Sequence, residues 1–196
     1  WEWLGIIMTV TQIQNEALVK KEIVAVVSLI DSIWPNEEKT VPQLVEAFPE
    51  VQRHCRVSYP GSTHESRRHV VWDGGELIAH ALTFERPVIS KNREISVMAL
   101  ARVCVTPVHR GKGIGADIIR SAFQRVDSGE FSVSLFQTTI PAFYERLGAV
   151  TVANQFVNSR NDVAPDTNPW SDEWIMIYPG DFPWPMGLID LNGPGY

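Results

Sequence analysis

Residues Ala101–Ala116 read ARVCVTPVHRGKGIGA. An apolar run, Ile95–Val105, ends near Pro107. Arg110-Gly111-Lys112-Gly113-Ile114-Gly115 then turns the chain into a segment with Ile114, Ile118, Ile119, Ala122, Phe123 and Val126 at helical spacing. The Val, Ala, Leu and Cys content of the run predicts a central, buried strand. A strand, a glycine-rich turn and an amphipathic helix in that order predict an anion site. Glycines let backbone approach a ligand closely, and a helix start presents unpaired N–H groups at the positive end of its dipole. Arg110 and Lys112, with His109, add positive charge there.

Outward from this unit, the first third predicts two helices. Val19, Ile23, Val26, Val27, Ile30 and Ile33 recur at helical spacing before Pro35, and Thr40-Val41-Pro42-Gln43 reads as a capping box ahead of Leu44, Val45 and Phe48. Pro49 is read as the end of the second helix. His69–Trp72, the turn Asp73-Gly74-Gly75 and Glu76–Phe84 predict a hairpin. Past the central helix, Phe131–Phe136 predicts a strand and Pro141–Leu147 a short helix stopped by Gly148. Val150–Val157 and Trp174–Tyr178 predict two last strands. The expectation is an α/β (α+β mixed) fold with one mixed sheet in a single domain spanning 1–196. Residues 1–10 are read as a flexible N-terminal segment and 179–196 as a C-terminal wrapping tail. Met8 is a candidate start, with Trp1–Ile7 preceding it.

The 196 residues, 44% hydrophobic and 20% charged, suit one folded domain. A net charge of -6 argues against a general binder of nucleic acid or anionic membrane and suits a cationic acceptor such as an amine. Cys55 and Cys104 lack the short spacing of a metal knuckle or a disulfide framework, so both are read as reduced thiols, Cys104 in the core, in a cytoplasmic setting. No metal is expected. The opening WEWLGIIM has neither a basic start nor the length to span a bilayer, and no membrane association is expected.

The loop fails two phosphate-binding patterns. No Ser or Thr follows a Gly-Lys as a P-loop requires, and the third glycine falls one residue early for a dinucleotide fingerprint. The remaining pattern, R-x-x-G-x-G preceded by V-x-V-x-P, resembles the acetyl-CoA loop of the GNAT superfamily of N-acetyltransferases. The resemblance runs from about Val70 to Ala149. It is most specific at Val103–Gly115 and at Pro141–Ala149, where PAFYERLGA is similar to the family's second signature.

The resemblance implies a mostly antiparallel sheet, flanked by helices and splayed at the acetyl-CoA strand. It implies acetyl-CoA as co-substrate, with the backbone N–H groups of Gly111, Lys112, Gly113, Ile114, Gly115 and Ala116 on the pyrophosphate and Arg110 at the head of the loop. Main chain of Val103, Cys104 and Val105 would pair with the pantetheine arm. Gln137 stands near the end of the next strand, where relatives often carry Asn. Tyr144 matches the frequent general acid, which protonates the departing thiolate.

No residue is assigned as the base. Glu85, Glu94 and His80 are candidates by position, and proton loss through water is the default. The acceptor would meet the first two helices, the Pro60–Arg67 region and the loop Asn158–Ser171. Trp170, Trp174, Trp184 and Tyr196 either line that pocket or pack the tail. A small-molecule amine is the expected acceptor. A protein N-terminus or lysine, a non-catalytic acyl-CoA sensor and a homodimer through an exposed sheet edge stay open.

Overall fold

The computed structural model describes residues 8–57 and 62–196, with main chain alone over 50–57. Its elements are β1 (Thr11–Gln14), α1 (Lys20–Ile33), α2 (Val41–Val57), β2 (Arg67–Asp73), β3 (Glu76–Ser90), β4 (Arg93–Val105), α3 (Ile114–Asp127), β5 (Ser134–Thr138), α4 (Pro141–Glu145), β6 (Val150–Thr151), β7 (Gln155–Val157), β8 (Trp174–Tyr178) and β9 (Leu188–Asp190). The strands form one sheet in the order β1-β2-β3-β4-β5-β8-β6, with β9 joined to β3 and β7. Neighbours are antiparallel except β4 with β5 and β7 with β9.

Alternation along the strands divides the core between two faces. Val71, Ile78, Met98 and Leu100 pack with Ile118, Ile119, Ala122 and Phe123 of α3. Val70, Leu77 and Cys104 turn the other way, onto Val26, Val27 and Leu29 of α1 and Phe48 of α2. A third cluster joins Val97, Val133, Leu135 and Ile177 to Ile189 and Leu191. Arg125, one of the buried arginines, is neutralised by Glu130, and its guanidinium also donates to Thr83 Oγ1 (2.8 Å) and to the carbonyl of Glu65 (2.8 Å). A buried charge persists only when paired in this way.

The structure differs from the sequence reading at several elements. The run Val150–Val157, expected as one strand, divides into β6 on β8 and β7 on β9. The second helix runs through Pro49 to Val57. A proline removes one ladder bond, but the apolar face of Leu44, Val45 and Phe48, packed with α1, outweighs that loss. The hairpin strand that was expected to stop at Phe84 extends to Ser90 and turns at Lys91-Asn92, both with positive φ (49° and 62°), into β4. The tail does more than wrap: Leu188–Asp190 pairs with Gln155–Val157 as β9, and Ile189 and Leu191 are fully buried.

Of the N-terminal segment, Met8 and Val10 pack against the α3 cluster, while Trp1–Ile7 lie outside the described residues, as do Pro60 and Gly61. The side chain of Cys55 also falls outside them. Among the described residues no helix is long and apolar enough to cross a membrane, and no three His, Cys, Asp or Glu side chains gather as a metal site.

Candidate acyl-transfer site

The site begins where two parallel strands part. β4 and β5 pair only at Met98↔Ser134 and Ala99↔Leu135, after which β5 continues against β8 as far as Thr138↔Trp174. Ala101–Val105 therefore borders an opening on the β5 side. On its other side, β4 carries a bulge. His80 faces Cys104 and Leu82 faces Ala101, so Arg102 and Val103 together stand opposite Ala81. Arg102 takes the left-handed conformation, φ 53°. The extra residue reverses the alternation of the strand. Before it, Met98 and Leu100 face α3; after it, Val103 and Val105 do, and Cys104 faces α1.

The strand end is anchored by Thr106, whose N–H donates to Ile78 O at 2.8 Å. The 3-10 turn Pro107–His109 follows. His109 turns away from the glycine loop: its Nδ1 is 2.8 Å from Thr106 Oγ1 and its Nε2 3.3 Å from Asp73 Oδ2, so it ties the loop to the hairpin turn. Gly111 (φ 77°) and Gly113 (φ 85°) both sit in the left-handed region, and a Cβ at either would meet nothing within 4 Å. The backbone at these positions therefore faces open space. Gly113 is the N-cap of α3, and no side chain caps that terminus. Its first N–H groups meet no side-chain cap, the arrangement in which helix starts are able to hold anions. Gly115 fits closely instead: a Cβ there would lie 3.6 Å from Phe143 and 3.8 Å from Val105, which draws the helix start onto α4 and the strand end.

Tyr144 on α4 has its ring in the core, 5% exposed, against Phe136 (4.7 Å between centroids) and Phe143 (5.0 Å, edge-on). Burial, with the negative charge of Asp172 adding to it, pushes the phenol well above its ordinary range, so it is a proton carrier at neutral pH. The hydroxyl bonds to no described residue and is not sealed from solvent.

The structure brings Val103, Cys104, Val105, Arg110, Gly111, Lys112, Gly113, Ile114, Gly115 and Ala116 together at one end of the sheet, with Tyr144 next to them through Phe143 and Gly115. Cys104 is buried against α1, and burial pushes its thiol up to about 12, which leaves it inert. Gln137 lies at the end of β5, but its amide is already engaged. Oε1 accepts from the N–H groups of Ser171 and Asp172 (2.9 Å each), and Nε2 donates to Tyr196 O (2.9 Å). Tyr196 in turn donates from its hydroxyl to Leu135 O (2.9 Å) and packs on Trp170 and Phe84. Trp170 and Tyr196 are thus packing groups of the loop and tail. The loop and the tail close over one side of the opening.

Of the candidate bases, Glu94 is exposed at the far end of β4. Burial alone would raise Glu85, but hydrogen bonds from Ser96, Ser62, Thr63 and His64 outweigh it and hold the carboxyl down to about 2. His80 is sealed in the core, with burial and then Arg68 pushing it down to about 3. The bulge at Arg102 went unnoticed in the sequence, where an arginine inside an apolar strand carries no signal of its own.

A sequence profile described as an acetyltransferase (GNAT) domain matches residues 16–152. The chain belongs to the GNAT acetyltransferase family. It is therefore an acyltransferase, of the kind that takes its acyl group from an acyl-CoA. Solved structures similar to this fold include three proteins of Escherichia coli and Pseudomonas aeruginosa. ElaA of Escherichia coli is 15% identical, with a TM-score of 0.54 over 87% of this chain and 99% of its own. YhbS of Escherichia coli, a GNAT family N-acetyltransferase solved in complex with CoA, is 12% identical, with a TM-score of 0.57 over 94% and 90%. An acyl-CoA N-acyltransferase from Pseudomonas aeruginosa is 18% identical, with a TM-score of 0.52 over 87% and 98%. No curated protein matches the chain significantly by sequence.

Proposed function

We propose that this GNAT protein moves an acetyl group from acetyl-CoA to a primary amine of a small molecule, by direct attack in a ternary complex. The observation that carries the reading is the uncapped start of α3 behind two left-handed glycines, set where β4 and β5 part. N–H groups of Gly111–Ala116 take the pyrophosphate, and Arg110 and Lys112 supply countercharge. Main chain of Val103–Val105, freed from β5, pairs with the pantetheine arm and presents the thioester carbonyl. The neutral amine attacks the carbonyl carbon, the carbon–sulfur bond breaks, and Tyr144 gives its proton to the sulfur; the proton that the acylated nitrogen sheds returns through water to the phenolate. The apolar surroundings that keep Tyr144 protonated also disfavour a free thiolate, so the two demands match.

A small acceptor is supported by the enclosure on the β5 side. Gln137 ties Ser171, Asp172 and Tyr196 into one wall, which suits a pocket better than an open groove for a polypeptide. Asp172 contributes negative charge on that wall, the sign that receives an amine.

The test is acetyl-CoA binding and thiol release with a panel of small amines. Release with one amine class establishes the reaction and narrows the acceptor. Binding without release across the panel returns the acceptor to a protein amine or turns the module into a sensor. No binding overturns the proposal.

A further inference from the structure

His80 occupies an unusual place. It is fully buried in β3 and borders the β4 bulge. Its Nε2 lies 2.7 Å from Arg68 Nη1, and its Nδ1 lies 2.9 Å from the carbonyl oxygen of Arg102. A guanidinium only donates, so Nε2 is the acceptor and the ring proton sits on Nδ1. That proton is donated to Arg102 O. Arg68 is itself set in place: its Nε donates to Asn15 Oδ1 at 2.7 Å, and its guanidinium lies over the Phe48 ring, 5.0 Å from the centroid.

The carbonyl held by His80 belongs to the residue that needs holding. Arg102 is a side-chain-bearing residue in the left-handed region, and such a conformation persists only where the surroundings impose it. The bulge turns Arg102 O out of the regular ladder, and His80 supplies the donor that a paired strand would otherwise give. Val103–Val105 follow directly, with their direction set by the same bulge.

We propose that His80 is a positioning residue for acyl transfer: through the Nδ1–H bond to Arg102 O it fixes the main chain of Val103–Val105 against the thioester, with Arg68 selecting its tautomer. This rests on the proposed seat of the donor along Val103–Val105. It gives a neutral, sealed histidine a function that requires no proton exchange with the acceptor. It also links α2, through Phe48 and Arg68, to the strand that presents the acyl group.

The experiment compares the wild type with His80→Leu and His80→Asn, whose amide reproduces the Nδ1 donor. Turnover, CoA affinity by calorimetry and thermal midpoint are read for each. In folded His80→Leu, kcat falls by about a hundredfold, the effect of small misplacement at a reacting centre, while the Kd for CoA changes by less than about threefold. His80→Asn recovers most of the lost turnover. Wild-type kcat in folded His80→Leu, or equal loss in the two variants, overturns the role.

Ring nitrogen NMR of the wild type at pH 7 needs no variant. A protonated Nδ1 and bare Nε2 support the relay; the opposite tautomer ends it. Failure of the wild type to bind CoA sinks the donor seat and this inference together. CoA binding with normal turnover in His80→Leu sinks this inference alone.

Discussion

Arg110 Nε donates to the carbonyl oxygen of Val105 at 3.1 Å, so the cation at the head of the glycine loop rests on the end of the central strand. Both groups are ones that the donor would use, the guanidinium for phosphate and the carbonyl for the pantetheine arm. Arg110→Ala removes the charge and frees the carbonyl. CoA affinity should fall by about tenfold, the scale of one charge-assisted hydrogen bond. The loss should shrink as salt is raised. Calorimetry at two ionic strengths checks both; a salt-independent loss would place Arg110 in the packing of the loop rather than on the phosphate.

Gly113 separates loop stability from ligand binding. Its φ of 85° makes any L-residue strained, and open space surrounds the missing Cβ. Gly113→Ala and Gly113→Glu should therefore cost a similar ~1–2 kcal/mol of stability. Only glutamate puts an anion where the pyrophosphate belongs, and it should abolish measurable CoA binding. If both variants bind CoA alike, the loop is not the anion site.

Tyr144→Phe keeps the ring between Phe136 and Phe143 and deletes only the hydroxyl. Turnover should drop by about a hundredfold, as for the loss of a general acid, with CoA affinity within about twofold. Unchanged turnover would return Tyr144 to the core alone.

His69, His80 and Glu85 all contribute to the acid limit of the fold. His69 and His80 are both pushed down to about 3 from 6.5, by burial first and by neighbouring arginines next. A lowered folded pKa contributes stability that is present above the unfolded value and lost as pH falls toward the folded one. The histidine contribution should therefore decline from about pH 6.5 to 3, and that of Glu85, held to about 2, from about 4.5 downward. Thermal midpoints across this range should fall steadily on acidification, and Glu85→Gln should flatten the lower part. A midpoint constant from pH 7 to 4 would contradict neutral buried histidines.

Periodicity carried most of the fold. Ile114–Val126 and Val19–Ile33 show a clear helical stripe, and the central strand shows as a largely apolar run interrupted at Ser96 and Arg102. The glycine loop was equally legible, since two left-handed turns before an uncapped helix demand that residue type. What escaped depended on partners distant in sequence. β9 is short and gains its strand character only from β7. The extension of β3 past Phe84 is fixed by β4, across a turn that contains no glycine. Gln137, read as a contact to the donor, is occupied by a loop and a tail more than thirty residues away.

The reversal at Arg102 gives β4 two phases. Up to Ala101 its even-numbered residues belong to the α3 core; from Val103 its odd-numbered residues do. Without Arg102 a regular ladder would keep the same contacts: Val103 would stand opposite Ala81, Cys104 opposite His80 and Val105 opposite Ala79, each on the face it already holds. What would go is the left-handed turn at Arg102 and the carbonyl that meets His80. The bulge is thus a tuck in the strand: it takes in one residue of length and leaves every address on either side unchanged.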